Sequence, residues 1–458
     1  MRRFWFEVAA TTVAALFAIA PGWAQGGGRA GDADGAALVE KARKIHDAVI
    51  TLDTHIDIDT RNFTREVNYT QDLPTQVNLP KMERGGLDVA WFVVYTGQGA
   101  LDEEGYRKAY ANAIDKFDAI DRLTKEIAPE RIELALTSDD VRRIHKSGKK
   151  VAMIGVENAY PVGEDLGRVK YFAQRGARYI SLTHNGHSQF ADSNTGERDD
   201  VWLHGGLSEL GKDVVREANK WGLLLDLSHP GKQANIQTLQ LSKAPVIASH
   251  SGARALCDNS RNLSDEELDL LKANGGVVQA VAFRSYVNQD KNALHSKATN
   301  EILQELAKEE GFQLRGGFGP GGGPPPGGAK PPAGERLSEA ERGKYIEELT
   351  AFRNRVKPRL EQRIKERGVD APDVNVRDFV DHIDYLVKKV GIDHVGISSD
   401  FDGGGGVEGW DDASETFNVT LELVRRGYTE EQIAKLWSGN LLRVLDEAQA
   451  VALRLQRE

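Results

Sequence analysis

The stretch LLLDLSHPGKQANIQTLQLSKAPVIASH, residues 223–250, contains two short apolar runs that each end in a histidine. The runs, Leu223–His229 and Pro245–His250, flank a more polar segment of helical length. A continuous apolar run fits a strand that is buried on both faces, as parallel strands are. The alternation of strand, helix and strand therefore predicts a βα unit of a parallel sheet.

The same pattern recurs along the chain and gives eight candidate strands in all. The other six are Ala48–His55, Leu87–Tyr95, Val151–Glu157, Tyr179–His184, Val277–Phe283 and His394–Asp400. Helical patterns lie between them. Leu207–Trp221 has Ser208 as an N-cap, and Ser264–Ala273 opens with a capping box. We therefore predict an α/β fold, a (β/α)8 barrel of the TIM type. The competing doubly wound sheet usually has about five to seven strands and a Gly-rich phosphate loop, which this sequence lacks after its first strand.

The N-terminal segment, residues 1–24, has the pattern of a signal peptide. A short positive start precedes an apolar stretch, and Gly22 and Ala24 fit a cleavage site. The apolar stretch is shorter than the ~20 residues of a membrane-spanning helix. We expect an exported protein, periplasmic or secreted, without a stable membrane anchor. Residues 25–36 are expected to be a flexible leader, and the barrel is expected to occupy residues 37–458.

A Gly/Pro-rich segment, GGFGPGGGPPPGGAKPPAG at residues 316–334, interrupts the pattern between the seventh and eighth candidate strands. This composition cannot pack a core. Charged helical patterns flank it, at Lys297–Glu310 and Ser338–Arg367. We predict an insertion over residues 297–375 that carries a disordered loop at 316–334. A domain boundary there is disfavoured because the eighth strand must still close the barrel.

Composition excludes some classes of protein. Lys plus Arg total 59 and Asp plus Glu total 69, which gives a formal charge of -10 without a long basic run. A nucleic-acid partner is therefore not expected. The single cysteine, Cys257, cannot form an intramolecular disulfide, and a four-thiolate zinc site is excluded. We expect Cys257 to be half-buried.

Side chains that can bind metals stand at the carboxyl ends of six candidate strands. They are His55, Asp57, Glu157, His184, His229, His250 and Asp400. Active sites of such barrels are built at these ends. Residues i and i+2 of a strand point to the same side, so His55 and Asp57 can both face the barrel mouth. Imidazoles and carboxylates suit zinc and its first-row neighbours. Five such ligands with one bridging carboxylate would hold two ions ~3.5–4 Å apart.

Each of these residues has a more ordinary interpretation on its own. A histidine after a strand is more often a hydrogen-bonded structural residue, Asp57 could cap a helix, and Glu157 could pair at the surface. The chain has 11 histidines, and four of them each end one of the eight apolar runs, which favours a site. The histidines in helical or loop contexts are expected to be solvated: His46, His145, His295, His382 and His394.

These motifs resemble the membrane dipeptidase (renal dipeptidase) family of the amidohydrolase superfamily. The resemblance runs from about Ala48 to Leu445. It is carried by DTHID at 53–57, GVE at 155–157, LTH at 182–184, ADS at 191–193, DLSH at 226–229, SHS at 249–251, SRN at 260–262 and SDFDG at 399–403. The chain departs from the family in its Gly/Pro-rich insertion, and we expect it to differ also in having no anchor. A membrane location, known for mammalian members, is therefore not carried over.

The resemblance implies an amidohydrolase-like barrel and a binuclear metallo-dipeptidase. Its substrate would be a small dipeptide with a free C-terminal carboxylate. Two divalent metal ions would be bound, with zinc as the expected metal. His55 and Asp57 would bind one ion, His229 and His250 the other, and Glu157 would bridge them. A hydroxide held between the ions would be the nucleophile. The family also favours a homodimer.

The resemblance also assigns roles around the metals. Asp400 would take the proton of the attacking water and pass it to the leaving amine. His184 would stabilise the oxyanion and contact the substrate. Arg261 would bind the substrate carboxylate through its guanidinium fork, although its position before a helix cap would alone favour a surface arginine. Tyr286 either lines the substrate pocket or packs as an ordinary aromatic. Asp402 is expected to be structural.

Two other functions stay open at this point. The same metal pair could hydrolyse another amide, a β-lactam or a lactone. A catalytically inactive binding protein that has kept the barrel is disfavoured, because no expected ligand is missing.

Overall fold

The computed structural model describes residues 30–314, 339–368 and 370–458, so the predicted signal peptide and Gly/Pro-rich loop lie outside the described residues. Within the described residues, parallel strands form a single sheet. The strands are β1 (Leu52–Asp57), β2 (Val89–Tyr95), β3 (Ile132–Leu134), β4 (Lys150–Glu157), β5 (Ala177–Ser181), β6 (Leu224–Asp226), β7 (Ile247–Ser251), β8 (Val277–Val281) and β9 (Val395–Ser398).

Eight of these strands form the predicted (β/α)8 barrel. Their order is β1-β2-β4-β5-β6-β7-β8-β9, and each pair of neighbours is parallel. The barrel closes where Ile56 bridges Phe401 and the Asp57 N–H donates to the Phe401 carbonyl at 2.9 Å. Each of the eight predicted runs overlaps one barrel strand. The additional strand β3 pairs with β4 and was not predicted, because three residues carry no readable pattern.

Helices connect the strands and cover the outside of the barrel. They are α1 (Ala30–Ala48), α2 (Leu79–Gly85), α3 (Glu103–Arg122), α4 (Ser138–Lys146), α5 (Gly167–Gln174), α6 (Gly196–Asp199), α7 (Glu209–Trp221), α8 (Lys232–Leu241), α9 (Asp265–Asn274), α10 (Arg284–Val287), α11 (Gln289–Glu309), α12 (Glu339–Glu366), α13 (Val376–Val390), α14 (Phe417–Arg425), α15 (Glu430–Ala434) and α16 (Asn440–Leu455). No helix among the described residues is both long and apolar enough to cross a membrane.

Local sequence signals set several of these helix ends. Ser208 caps α7 by accepting the Gly211 N–H at 3.0 Å, and Ser264 and Glu267 form the predicted capping box of α9. At the N-terminus, α1 starts at Ala30. Residues 30–36 of the predicted flexible leader are therefore helical.

The amino-terminal end of the barrel is filled by apolar side chains. One cluster combines residues near the start of most barrel strands with Leu441 and Leu445 of α16. Its strand members include Leu52, Val89, Val151, Leu224, Ile247 and Val277. Helix α16 thus closes this end of the barrel, and the predicted polar residues lie at the opposite end.

Helices α11 and α12 lie between β8 and β9, where the insertion was predicted, and α11 starts earlier than the expected Lys297. They share an apolar cluster of their own, centred on Ile302, Leu306 and Phe352. Ion pairs such as Arg363–Glu309 at 2.8 Å also join the two helices. This helix pair therefore has a small core separate from the barrel.

Two histidines that were expected to be solvated are buried instead. The His46 side chain is 2% exposed, accepts from the Thr420 hydroxyl at Nδ1 (2.7 Å) and donates from Nε2 to the Gly85 carbonyl (2.9 Å). His382 is equally buried and is hydrogen-bonded at both ring nitrogens. A position in a helical pattern did not predict this burial. Hydrogen bonds at both ring nitrogens remove most of the free-energy cost of burying a histidine, and their partners are distant in sequence. Cys257, expected to be half-buried, is buried as well.

The buried state of His46 predicts a pH dependence of stability. Burial lowers its pKa below the usual value, whereas Asp88 raises the pKa of the partly exposed His145. Stability from a His with a lowered pKa is present above about pH 6.5 and is lost as the pH falls through the folded-state pKa. Urea unfolding from pH 7.5 to pH 5 should therefore show a shallower loss of unfolding free energy for His46→Gln than for the wild type.

His145→Gln is the matched control with the opposite sign. A raised pKa contributes stability below about pH 6.5 that is lost as the pH rises, so this variant should show a steeper acid loss than the wild type. Identical pH slopes for wild type and His46→Gln would contradict the assignment of His46 as a buried neutral imidazole.

Candidate metal centre

The predicted metal-competent side chains converge at the carboxyl ends of the barrel strands. His55 and Asp57 lie on β1, Glu157 ends β4, His250 lies on β7, and His184, His229 and Asp400 follow β5, β6 and β9 within three residues. The structure therefore brings all seven of these residues together from six strands.

Glu157 lies at the centre of this group and is only 2% exposed. Its Oε1 is 2.9 Å from His229 Nε2 and 3.5 Å from His250 Nε2. Its Oε2 is 3.5 Å from His55 Nε2. The two oxygens of one carboxylate therefore face two different histidine groups.

Three carboxylates lie close to the Nε2 atom of His55. Asp57 Oδ2 lies 3.7 Å and Asp400 Oδ1 lies 4.0 Å from His55 Nε2, in addition to Glu157. The Nε2 atom is buried and has no hydrogen-bond partner among the described residues. Three carboxylates around one unsatisfied nitrogen need positive charge between them, so these residues fit divalent cations.

Three overlapping groups of side chains could each hold a cation, because the ligand atoms of each group lie within 4.8 Å of one another. They are His55–Glu157–His250, Glu157–His184–His229 and His55–Asp57–Asp400. Glu157 belongs to two sets and His55 to two sets, which gives room for more than one ion in a shared cluster.

The electrostatics of the cluster follow from burial and crowding of charges. Burial alone would lower the pKa of His55, but Glu157, Asp57 and Asp400 raise it well above its usual value. Burial, together with Asp57 and Glu157, raises the pKa of Asp400 well above its usual value. Burial lowers the pKa of His229 well below its usual value, which leaves a neutral imidazole with a lone pair for a cation.

The backbone is unusual at two of these residues. His229 (φ 84°) and Asp400 (φ 59°) adopt the left-handed region, which is uncommon for residues other than glycine. Next to them, a Cβ at Gly403 would lie 2.2 Å from Asp400 Oδ1 and 2.3 Å from Asp57 Oδ2. The loop after β9 therefore needs glycine at 403 to pass close to both carboxylates. Backbone strain of this kind concentrates at functional sites.

His184 packs against residues that were not predicted to lie at the site. Tyr95 pairs with Glu157 in the β2–β4 register, and its ring centroid lies 4.6 Å from that of His184. The Lys116 ammonium lies 5.1 Å from the Tyr95 ring centroid, and Lys116 is only 6% exposed. The position of Lys116 next to Tyr95 could not be predicted, because a lysine within a helical pattern is usually exposed.

Arg261 is buried beside the cluster without an acidic partner among the described residues. Its Nη2 donates to the His250 carbonyl at 3.4 Å, and its buried Nε atom has no hydrogen-bond partner in the part of the chain that the structure describes. The guanidinium carbon lies 5.4 Å from the centroid of the Tyr286 ring, which stacks on Phe283. Arg261 and His229 also line the same narrow pocket. A buried guanidinium that no carboxylate neutralises among the described residues is suited to an anionic ligand.

A parallel barrel whose strand ends gather imidazoles and carboxylates defines a metal-dependent hydrolase of the TIM-barrel class. Within this class, the chain belongs to the membrane dipeptidase family, peptidase family M19, whose model matches residues 39–458. It is therefore a metallopeptidase that hydrolyses peptide bonds.

Individual relatives agree with this assignment. The dipeptidase tcpJ of Claviceps purpurea is 28% identical over 388 residues, which cover 84% of this chain and 72% of the relative. The crystal structure of the probable dipeptidase PvdM from Pseudomonas aeruginosa is 33% identical, with a TM-score of 0.72, and the match covers 91% of this chain and all of that one. A metallopeptidase from Rhodobacter sphaeroides, liganded with a phosphinate mimic of the dipeptide L-Ala-D-Ala, shares the fold at 20% identity and a TM-score of 0.61, over 87% of this chain and 99% of that one.

Proposed function

We propose that this protein is a binuclear metallo-dipeptidase that hydrolyses dipeptides with a free C-terminal carboxylate. The observation that carries the proposal is the arrangement of Glu157. Its two oxygens face His55 on one side and His229 with His250 on the other. This is the geometry expected of a carboxylate shared by two cations. We propose zinc as the metal, because imidazole and carboxylate ligands suit it.

The ligands divide into two groups around Glu157. His55 and Asp57 would hold one ion, and His229 and His250 the other. Bound there, two divalent cations would supply Lewis acidity, which lowers the pKa of an attacking water and polarises the scissile carbonyl. The neutral imidazoles favoured by burial at His229 and His250 are in the form that a cation needs.

The remaining polar residues would handle the proton and the charge of the transition state. Asp400 lies beside Asp57 and His55, where it can accept a proton from the attacking water and donate it to the leaving amine. His184 Nε2 lies 3.9 Å from Glu157 Oε1 and can donate to the oxygen of the scissile carbonyl as negative charge develops.

Arg261 would set the class of substrate. A dipeptide places its C-terminal carboxylate one residue beyond the scissile bond, within reach of a side chain next to the metal ligands. The Arg261 guanidinium faces the Tyr286 ring, and its Nε has no hydrogen-bond partner within residues 30–314, 339–368 and 370–458. A guanidinium binds a carboxylate with two parallel hydrogen bonds. We also propose that the protein is exported, based on the N-terminal signal-peptide pattern.

The test is hydrolysis of a panel of L-Xaa-L-Xaa and L-Xaa-D-Xaa dipeptides by the zinc-loaded protein, with and without a chelator. Each peptide is paired with its C-terminally amidated form. We expect cleavage of the acids to be sensitive to the chelator. For the amides, kcat/KM should be lower by about 30-fold or more, which corresponds to a loss of about 2 kcal/mol or more of transition-state stabilisation, because an amide leaves Arg261 without a carboxylate partner.

The outcomes separate the parts of the proposal. Equal cleavage of acids and amides would remove the role of Arg261 as the carboxylate ligand. Cleavage that survives complete removal of metal would contradict the metallopeptidase mechanism. A protein that binds two ions but cleaves no dipeptide would favour the alternative of another amide, a β-lactam or a lactone.

A further inference from the structure

A buried carboxylate lies directly below the metal ligands, within the barrel. Asp226 is the last residue of β6 and is 2% exposed. Its Oδ1 accepts the backbone N–H groups of Ser228 (3.0 Å) and Ser249 (2.8 Å). Its Oδ2 accepts the hydroxyl of Ser249 at 2.6 Å. Both oxygens are therefore used as acceptors, as in an ionised carboxylate.

The Ser249 hydroxyl connects this carboxylate to one of the proposed metal ligands. Its Oγ lies 2.8 Å from His250 Nδ1 as well as 2.6 Å from Asp226 Oδ2. A hydroxyl has one proton, and an ionised carboxylate can only accept it. The contact with His250 must then be a hydrogen bond donated by the Nδ1–H of the ring to Ser249 Oγ.

This direction of donation decides which nitrogen of His250 can bind a cation. A neutral imidazole that carries its proton on Nδ1 has its lone pair on Nε2. His250 Nε2 is the nitrogen that faces Glu157 Oε1 (3.5 Å) and His229 Nε2 (3.1 Å). The hydrogen-bonded chain therefore presents the lone pair toward the cluster.

We propose that Asp226 and Ser249 are positioning residues that fix the tautomer and orientation of His250 for cation binding. This inference rests on the proposed function of the cluster. Without Asp226, the Ser249 proton is free to turn toward Nδ1, which moves the ring proton to Nε2 and blocks the lone pair. A comparable contact exists on the other side, where the Tyr179 hydroxyl lies 3.0 Å from His55 Nδ1. Such second partners of metal-bound histidines orient the ring and strengthen the ligand.

The test compares zinc binding by wild type, Ser249→Ala and Asp226→Asn in competition with a chromophoric chelator. Ser249→Ala removes the hydrogen bonds that link Ser249 to Asp226 and to His250. Asp226→Asn replaces the carboxylate, which can only accept a hydrogen bond, with an amide that can also donate one. We expect each variant to lower the affinity for one of the two zinc ions by about 10- to 100-fold. The affinity for the ion bound by His55 and Asp57 should not change. Saturating zinc should restore most of the lost turnover, because the ligands themselves are intact.

Ser228→Ala is the matched control. Ser228 is as buried as Ser249 and also precedes a histidine ligand. Its hydroxyl contacts the His250 backbone N–H (3.0 Å) and the Ser251 hydroxyl, and it is hydrogen-bonded to no imidazole among the residues that the structure describes. Its zinc affinities should stay close to those of the wild type. Thermal unfolding of the metal-free proteins shows whether each variant folds.

A second measurement reads the tautomer directly. Nitrogen NMR of 15N-histidine-labelled, metal-free wild type should show His250 protonated on Nδ1, and Ser249→Ala should shift the proton toward Nε2. An Nε2–H tautomer in the wild type, or wild-type zinc affinities in Ser249→Ala, would overturn the inference. A wild type that binds fewer than two ions would instead contradict the binuclear function and leave the NMR result to decide the role of Ser249.

Discussion

Replacing Glu157 with Gln is expected to release both cations together and to lower kcat/KM by about 10³-fold or more. The substitution keeps the shape of the side chain but removes its charge and turns one oxygen into an NH2 group, which cannot bind a cation. Because Oε1 faces His229 and His250 while Oε2 faces His55, neither cation keeps its full set of ligands. The loss of several kcal/mol of transition-state stabilisation corresponds to this decrease in rate. Metal content by elemental analysis and turnover of a dipeptide give the two readouts.

Glu422→Gln is the control for loss of a buried carboxylate. Glu422 on α14 is 6% exposed and pairs with Arg426 at 3.1 Å, away from the cluster. This variant should keep two ions and near-normal turnover, although its stability falls. If Glu157→Gln retains one ion at wild-type affinity, Glu157 is a ligand of the other ion alone. If it retains both ions and full activity, the bridging assignment is wrong.

The barrel could be predicted from the sequence because its strands are buried on both faces. Such strands are continuous apolar runs, and Leu223–His229 and Pro245–His250 each overlap one strand of the structure. The positions of the polar residues followed from the same pattern. In a closed parallel barrel all carboxyl ends meet at one rim, so residues that end different runs must converge there.

The contacts that support the site could not be predicted in this way. Ser249 and Asp226 stood within recognised motifs, but only the β6–β7 pairing places a serine between that carboxylate and His250. Tyr179 was one more apolar position of a strand, and Gly155 on the neighbouring strand makes room for its ring. A Cβ at Gly155 would lie 2.0 Å from Tyr179 Cζ. Burial of His46 likewise depends on hydrogen-bond partners that are distant in sequence.

Replacing Asp400 with Asn is expected to lower kcat by about 10²- to 10⁴-fold while both ions stay bound, because the residue would lose its ability to accept the proton of the attacking water. Asparagine tolerates the left-handed backbone at this position, so the loop after β9 should keep its path. Burial and the neighbouring acids raise the pKa of Asp400, which suits a group that must first accept and later donate a proton. Metal content and single-turnover rates measure the two effects separately.

The nearest suitable control is Asp402→Asn. Asp402 is two residues away and also has a positive φ, but its carboxylate accepts the backbone N–H groups of Gln76 (2.8 Å) and Val77 (3.2 Å) and has a structural role. This variant should lose stability and retain most of its turnover. The structure places Asp400 close enough to His55 and Asp57 to be a ligand as well. Loss of one ion from Asp400→Asn would therefore identify it as a ligand, and normal turnover with both ions bound would exclude it from proton transfer.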